Sequence, residues 1–258
     1  MNISELIKRN FVDKNLYMAN RVSNVQVVET SNFVKVNSQL CSDTFNVGII
    51  LDEHRDYELL FKEVVGSFNE ERNVMSLWCW EDSGGFQDFL VYKGMRRTEV
   101  NFGMYADVKT LDPKIGHVPG FQAFETTDID VFCQVLSSVF DEEEGRNVRE
   151  YYKSLNMPVI QGDAELKFYL GNFEGRPVCC GSTVKTSDSI GIYDIVTLKE
   201  MRGRGFGTEM FGFILKEIKA NYTGTCVLQA SEAGMGIYAR AGFAKTCEIA
   251  IYDNRAFI

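Results

Sequence analysis

A glycine-rich loop, Arg202-Gly203-Arg204-Gly205-Phe206-Gly207-Thr208, lies between a β-like run at residues 190–198 and an amphipathic helix predicted at residues 206–219. Glycines let the backbone approach a ligand closely, and the first turn of a helix carries N–H groups without intrahelical partners. With the positive end of the helix dipole, those donors form an anion site. The two arginines add charges that pair with phosphate oxygens. The loop therefore predicts a strand–loop–helix unit that binds a phosphate group without a metal.

Two other phosphate-binding loops do not fit this sequence. A Walker loop needs a lysine and then serine or threonine after its last glycine, but Gly207 is followed by Thr208 and Glu209. A dinucleotide-binding fingerprint needs a third glycine where this chain has Thr208. The pattern that fits is R-x-x-G-x-G, with Arg202, Gly205 and Gly207 in register. In this pattern the chain resembles the GNAT N-acetyltransferase superfamily, in which the loop holds the pyrophosphate of acetyl-CoA.

The segments around the loop are similar to the same family. Residues 192–198 look like the strand that leads into the loop, residues 225–231 read as a buried strand, and residues 232–241 as a short helix. That helix ends in Tyr238-Ala239-Arg240-Ala241-Gly242-Phe243, similar to the family's Y-x-x-x-G-F signature. In the tail at residues 244–252, polar and apolar residues alternate and several residues are β-branched, which predicts a hairpin.

The order of the predicted elements gives the fold class. Over residues 119–258 the order β-α-α-β-β-β-α-β-α-β-β matches the GNAT fold. Residues 111–118 hold Gly and Pro without sustained periodicity and are predicted to be a linker. We expect an α/β (α+β) protein with a catalytic GNAT domain at 119–258, built as a mixed central sheet flanked by helices, and a smaller α/β domain at 1–110.

The N-terminal part shows a faint internal repeat. Residues 94–107 resemble residues 242–253, and a predicted strand at 45–51 and helix at 56–68 precede them at similar distances. The segment that would replace the glycine loop, residues 52–56, contains no glycine, and Leu90 stands where the second unit has Tyr238. We therefore expect residues 1–110 to be a degenerate GNAT-like half that does not bind CoA.

The amino-acid composition of the chain disfavours several classes of function. The chain has 258 residues, 45% of them hydrophobic, which supports a full core. No apolar run approaches the roughly 20 residues that span a bilayer, and the polar N-terminus is unlike a signal peptide, so we expect a cytoplasmic protein without a membrane partner. The net charge of -9 disfavours nucleic acid as a partner and weakly favours a cationic acceptor. The sequence leaves open whether the chain forms a homodimer.

Cysteines and histidines do not predict a metal site or a disulfide framework. Seven cysteines without a C-x-x-C pair indicate reduced thiols, and the adjacent Cys179 and Cys180 are expected to pack in the core. The only two histidines, His54 and His117, lie far apart in sequence, so we expect no metal cofactor.

Transfer of an acetyl group from a thioester to an amine sets three chemical requirements. An alkyl amine has a pKa near 10, so a base must remove a proton before attack. The oxyanion needs a hydrogen-bond donor, and the departing thiolate needs an acid. The resemblance implies that the strand backbone around Ile195, Val196 and Thr197 holds the pantetheine arm and polarises the acetyl carbonyl. It also implies that Tyr238 protonates the thiolate and that attack is direct.

The resemblance implies a set of cofactor contacts and leaves the base open. Ser231 stands where many relatives carry an asparagine. Arg240 either contacts the 3′-phosphate of the cofactor or lies on a solvated helix face, and the sequence favours neither interpretation. For the base, Asp194, the acidic run at residues 141–144 and a water-mediated route are the candidates. The expected contacts with acetyl-CoA are Ile195, Val196, Thr197, Arg202, Gly203, Arg204, Gly205, Phe206, Gly207, Thr208 and Ser231.

The sequence thus predicts an acyltransferase that uses acetyl-CoA as donor and a small-molecule or peptide amine as acceptor. The alternative is a CoA-binding regulatory module without turnover. Retention of the glycine loop together with Tyr238 favours the enzyme.

Overall fold

The computed structural model describes residues 2–53, 56–80, 84–113, 118–155 and 165–258, so His54, His117 and residues 114–117 of the expected linker lie outside the described residues. Within these ranges the chain forms one mixed sheet with helices on both faces, which confirms the expected fold class. The helices are α1 (Ile3–Ala19), α2 (Tyr57–Glu70), α3 (Gly84–Lys93), α4 (Ile129–Leu136), α5 (Glu142–Lys153), α6 (Phe206–Asn221) and α7 (Met235–Arg240). The strands are β1 (Gln26–Glu29), β2 (Phe33–Asn37), β3 (Val47–Ile50), β4 (Ser76–Trp80), β5 (Arg96–Asp107), β6 (Phe121–Thr126), β7 (Leu166–Phe173), β8 (Arg176–Lys185), β9 (Ser189–Thr197), β10 (Thr225–Ala230) and β11 (Ala244–Asp253).

The two halves of the chain exchange their last strands at the centre of the sheet. The strand order is β1-β2-β3-β4-β11-β5-β10-β9-β8-β7-β6. Strand β11, from the C-terminal half, is antiparallel to β4, and β5, from the N-terminal half, is antiparallel to β10. The two exchanged strands also pair with each other. Residues 1–110 and 119–258 are therefore joined by shared strands as well as by the segment between them.

The faint sequence repeat corresponds to a repeated local structure. Helices α3 and α7 each end at a glycine with positive φ, +96° at Gly94 and +102° at Gly242. In both, the next residue donates its backbone N–H to an earlier carbonyl, Met95 to Leu90 and Phe243 to Tyr238. This is the Schellman pattern of helix ends, and it places Leu90 and Tyr238 at equivalent positions.

The helices cover the two faces of the sheet in a consistent way. Helices α1, α4 and α5 pack on one face across both halves. The opposite face is covered by α2 and α3 in the N-terminal half and by α6 and α7 in the C-terminal half. Because side chains alternate along a strand, Ile192 of β9 packs under α6 while Tyr193 faces α1. Cys179 and Cys180 divide between the same two cores, as expected. None of the helices in the described ranges is long and apolar enough to cross a bilayer.

Three elements differ from the sequence-based expectation. The hairpin expected at residues 244–252 is wrong: β11 is one strand, because β4 and β5 pair with its two edges. The sequence predicts that the acidic run interrupts the helices and that the second one spans residues 147–155, but helix α5 begins at Glu142, because the Asp141 carboxylate accepts a hydrogen bond from the Glu144 N–H at 2.9 Å and caps the helix. Helix α1 was not expected from the polar N-terminus, yet its apolar stripe, including Ile7 and Phe11, is buried against the sheet.

The centre of the sheet is packed tightly enough to make a specific stability prediction. A Cβ added to Gly103 of β5 would collide with Cys247 of β11, and it would lie 3.3 Å from Ile7 of α1. We expect Gly103→Ala to destabilise the protein by about 1–3 kcal/mol through overpacking. The fall in Tm on thermal unfolding measures this loss of stability. The control is Gly66→Ala in α2, where the added Cβ meets only Lys62 at an ordinary 3.6 Å, and which should leave Tm unchanged or raise it. Equal losses would contradict the assigned packing.

Candidate functional site

A wedge-shaped gap opens between the parallel strands β9 and β10. Residues 225–227 of β10 pair with residues 189–191 of β9, and the recorded pairing stops at Val227 and Gly191. Strand β9 continues to Thr197, so its edge beyond Gly191 is free of a strand partner among the described residues. The gap lies at the carboxyl ends of two parallel strands, where open α/β sheets bind ligands.

A bulge in β9 shapes this gap. The register with β8 shifts between the pairs Cys180 with Val196 and Ser182 with Tyr193, so Asp194 and Ile195 together oppose one residue of β8. Asp194 takes a left-handed φ of +57°. Its Oδ2 atom accepts hydrogen bonds from Ser182 Oγ at 2.6 Å and Tyr152 Oη at 2.9 Å. The Asp194 carboxylate therefore holds the bulge in place.

The free edge of β9 presents backbone donors to the gap. The Leu198 N–H bonds to the Val178 carbonyl of β8 at 2.9 Å. Because successive residues of a strand alternate in direction, the N–H groups of Ile195 and Thr197 point to the open edge. Val196, the third residue expected to contact the cofactor here, lines the cavity instead with its side chain.

The gap leads into a cavity of about 510 Å³ that both halves of the chain line. The C-terminal half contributes residues of β9, β10 and α7, including Ile195, Gln229, Ser231 and Tyr238. The N-terminal half contributes residues of α1, β3, β4 and β5, including Phe11, Lys14, Val47, Trp78 and Glu99. Tyr238 and Lys14 belong to opposite faces of the sheet, and the divergence of β9 and β10 lets both reach one cavity.

Tyr238 lies where its phenol can act on a group in the gap. Its ring packs edge-on against Phe211 of α6, with centroids 4.9 Å apart. Its hydroxyl has no hydrogen-bond partner in the part of the chain that the structure describes. Burial raises the pKa of Tyr238 above its ordinary value of 10, so the phenol keeps its proton at neutral pH. The Tyr238 phenol is therefore protonated at neutral pH and keeps its proton free to donate a hydrogen bond in the cavity.

The glycine loop runs from β9 into α6 and leaves the first N–H groups of the helix without backbone acceptors. Gly203 and Gly205 have φ of +74° and +88°, a region that other residues avoid. The first helical hydrogen bond joins the Glu209 N–H to the Gly205 carbonyl. The N–H groups of Phe206, Gly207 and Thr208 therefore have no intrahelical acceptor and lie at the positive end of the helix dipole.

The two arginines of the loop are exposed, and neither forms an ion pair with a described carboxylate. Arg202 Nε donates to the Thr197 carbonyl at 3.2 Å, which ties the loop back to β9. The Arg204 guanidinium lies over the rings of Phe173 and Phe206, 5.1 Å and 5.2 Å from their centroids. The Phe206 side chain is buried in the core, so only its backbone faces the anion site.

The other sequence candidates divide into those at the site and those away from it. Arg240 lines a small groove between α6 and α7 together with Thr208. The acidic run at residues 141–144 does not line the cavity: Asp141 caps α5, Glu142 pairs with Arg146 at 3.1 Å, and Glu144 accepts a hydrogen bond from Ser42 at 2.6 Å.

Sequence reasoning missed Lys14 and Glu99, two charged residues that line the cavity from the N-terminal half. Lys14 lies on α1 and Glu99 lies on β5. The position of each of these elements depends on contacts with the C-terminal half of the chain. The heptad-like apolar spacing of α1 was a usable signal for the helix, but no local pattern shows that its Lys14 faces residues near position 194.

The cysteines do not supply a nucleophile for this cavity. All seven lie within the described residues, and none lines the cavity. Burial raises the pKa of Cys179 to about 12, and the pKa of Cys180 well above its ordinary value. Both thiols therefore stay protonated at neutral pH.

Sequence comparison assigns the C-terminal half to a family. Residues 140–255 match the family model described as an acetyltransferase (GNAT) domain. Residues 140–255 are a GNAT acetyltransferase domain. The glycine loop, the open edge of β9 and Tyr238 all lie within this GNAT domain. No curated protein matches the sequence of the chain significantly.

Solved structures extend the similarity of fold to nearly the whole chain. A GCN5-related N-acetyltransferase from Kribbella flavida aligns with a TM-score of 0.72 at 13% identity, covering 98% of this chain and 96% of its own. A conserved protein of unknown function from Staphylococcus epidermidis aligns with a TM-score of 0.68 at 14% identity, covering 93% and 96%. A tandem GNAT protein from the clavulanic acid biosynthesis pathway aligns with a TM-score of 0.62 at 12% identity, covering 98% and 94%. These similarities show a two-half GNAT fold.

In the described residues of the N-terminal half, the start of α2 differs from the glycine-rich start of α6. At the start of α2, the Asp56 carboxylate accepts a hydrogen bond from the Leu59 N–H at 3.0 Å. A carboxylate thus occupies one of the backbone donors at this helix start, and its charge would repel a phosphate.

Replacement of Gly205 tests the anion site. We expect Gly205→Val to weaken acetyl-CoA binding more than tenfold, because the side chain is strained at φ +88° and would fill space beside the helix N-terminus. Titration calorimetry measures the affinity. The matched control is Gly175→Val in the turn between β7 and β8, where φ is +78° and an added Cβ meets nothing within 4 Å. Gly205→Val should lose somewhat more stability than the control, because its added Cβ lies 3.3 Å from Val118, and equal acetyl-CoA affinity in both variants would show that the loop is only a turn.

Proposed function

We propose that the chain is an acetyl-CoA-dependent N-acetyltransferase that transfers the acetyl group directly to an amine. The observation that carries the proposal is the meeting of three features at one gap. The glycine loop presents free N–H groups, the edge of β9 presents further donors, and the Tyr238 phenol faces the same cavity. Each feature serves one part of a thioester substrate.

The residues present fit acetyl-CoA along its length. The N–H groups of Phe206, Gly207 and Thr208, with Arg202 and Arg204, are placed to hold the pyrophosphate. Gly207 lies close to β9, since a Cβ there would be 3.1 Å from Thr197 Oγ1. The pantetheine arm can therefore pass from the loop to the open edge of β9, where Ile195 and Thr197 bind its amides as a neighbouring strand would.

The chemistry needs no covalent acyl-enzyme. A base removes one proton from the ammonium group, and the free amine attacks the thioester carbonyl while N–H donors of β9 stabilise the oxyanion. The C–S bond then breaks, and Tyr238 gives its phenol proton to the thiolate. The nitrogen loses its second proton as the amide forms, which restores the phenol. The balance is one amide, one free CoA thiol and one proton released to solvent.

Calorimetry with acetyl-CoA, desulfo-CoA and a longer acyl-CoA tests the donor site. We expect one acetyl-CoA to bind per chain with micromolar affinity, because only the C-terminal half has the glycine loop. Two sites per chain would contradict the assignment of a CoA-free N-terminal half. Binding without thiol release against an amine panel would favour a regulatory CoA-binding module over an enzyme.

Tyr238→Phe tests the proposed acid. We expect kcat to fall on the order of 100-fold, the size of a general acid contribution, while the acetyl-CoA Kd stays nearly unchanged. The control is Tyr222→Phe, another phenol whose pKa is raised by burial but which lies away from the cavity. Unchanged turnover in the Tyr238 variant would remove its role.

The pH profile gives a second test of Tyr238. Because burial raises its pKa above 10, the phenol stays protonated, and so competent as an acid, up to that value. We therefore expect no loss of kcat from Tyr238 ionisation between pH 6 and pH 9. A basic limb below pH 9 that disappears in the Phe variant would contradict this.

A further inference from the structure

The charges around the cavity do not all have partners. The charged side chains that line it in the described part of the chain are Lys14, Asp43, Glu99, Asp194 and Asp253. Asp43 and Asp253 pair with Arg255 at 2.6 Å and 2.9 Å, and Asp253 also pairs with Arg96 at 2.9 Å. Two arginines thus neutralise two aspartates.

Lys14 contributes a positive charge that lacks a close partner. No carboxylate of the described residues lies within 4.0 Å of its Nζ atom, which stands over the Tyr193 ring at 5.5 Å from the centroid. Burial lowers the pKa of Lys14, and the more distant Asp194 opposes that shift. The Asp194 carboxylate is already engaged by Ser182 and Tyr152. The ammonium group of Lys14 therefore faces the cavity without a direct counter-ion.

Tyr193, the platform under Lys14, is held rigidly. Its hydroxyl donates to Asn10 Oδ1 at 2.6 Å, and Asn10 Nδ2 donates to Ser189 Oγ at 2.9 Å. These bonds link α1 to β9 in a buried network. Lys14, one helical turn after Asn10, is thereby kept over the cavity.

Glu99 contributes a negative charge that also lacks a partner. It lies on β5 at the other side of the cavity, and the structure records no hydrogen bond or ion pair with another described side chain. Desolvation by the surrounding protein raises the pKa of Glu99, although the residue is still exposed to solvent at the cavity. One carboxylate and one ammonium group without partners thus line the same cavity.

We infer that the acceptor is a small zwitterion, an amino acid with an apolar side chain, whose ammonium group binds Glu99 and whose carboxylate binds Lys14. The inference rests on the proposed function. Lys14 faces the cavity without a counter-ion, which is costly, and a ligand with two opposite charges supplies that counter-ion and also pairs with Glu99, which lines the same cavity and is exposed to solvent. A simple amine would satisfy Glu99 and leave Lys14 without a partner.

The size and walls of the cavity agree with such a ligand. The cavity of about 510 Å³ has room for a compact zwitterion between Glu99 of β5 and Lys14 of α1, which both line it. Phe11, Trp78, Leu136 and Phe140 form apolar walls, with the rings of Phe11 and Trp78 only 4.3 Å apart. These walls suit an apolar side chain.

Glu99 also supplies the base that the reaction requires. Its carboxylate takes one proton from the bound ammonium group, and the amine nitrogen then attacks the acetyl carbonyl, with the later steps as described above. Glu99→Gln should therefore raise the KM for the acceptor and also lower kcat. The control is Glu70→Gln at the exposed end of α2, which should change neither.

The test compares amino acids with their decarboxylated counterparts, using the full chain. The pairs are leucine with 3-methylbutylamine and phenylalanine with 2-phenylethylamine, each assayed for thiol release with acetyl-CoA and for binding by calorimetry in the presence of CoA. We expect the amino acid to have the lower KM and Kd by tenfold or more, the effect of one charged hydrogen bond. Lys14→Met should remove that advantage without affecting the amines. Lys62→Met, on the exposed side of α2, is the control and should keep the advantage.

The outcomes separate this inference from the proposed function. Equal KM and Kd within each pair, equal loss for both members in Lys14→Met, or no binding of either amino acid would overturn the zwitterion site. Turnover of the amines in those cases would leave the acetyltransferase intact. Amino acid binding that Lys14→Met abolishes, without acetylation of any acceptor, would sustain the site and overturn the proposed function.

Discussion

The antiparallel pairing of β5 with β11 is the constraint on which the rest of the structure depends. Each strand is the last of its half, and each stands between its exchanged partner and a strand of the other half. Neither half can therefore complete its sheet alone. The close approach of Gly103 to Cys247 shows how little room the pairing leaves for a change of register. A slip of one residue would turn every side chain of β5 to the opposite face.

This exchange explains how the N-terminal half contributes to a cavity of the C-terminal half. Strand β5 runs beside β10 and carries Glu99 past the end of that strand, to the mouth of the gap. Helix α1 crosses both halves on one face of the sheet and brings Lys14 over β9. The C-terminal half supplies the groups suited to a thioester, and the N-terminal half supplies much of the wall on which an acceptor would lie.

The sequence predicted the parts of this arrangement that are encoded locally. The loop around Gly205, the helix after it and the signature ending in Phe243 are contiguous, and periodicity places each on its element. Lys14 and Glu99 were missed because their positions depend on strand order, and nothing near either residue records that β5 lies beside β10. The expected hairpin failed for the same reason: alternation shows that residues 244–252 form a strand, but not that their partners are residues near 78 and 100.

The differences between the two halves occur together. Where Gly205 opens the helix N-terminus of the GNAT domain, Asp56 closes the equivalent one with a carboxylate. Strand β9 continues beyond the residues that pair with β10, as far as Thr197. The equivalent strand β3 ends at Ile50, one residue beyond its pairing with β4. Where Tyr238 faces the cavity, Leu90 is buried in the core. On the proposed function, the glycine loop, the open strand edge and Tyr238 each serve a different part of one substrate, so they are useful only as a set. The equivalent positions of the N-terminal half serve packing instead, and Leu90 makes apolar contacts where Tyr238 carries a hydroxyl.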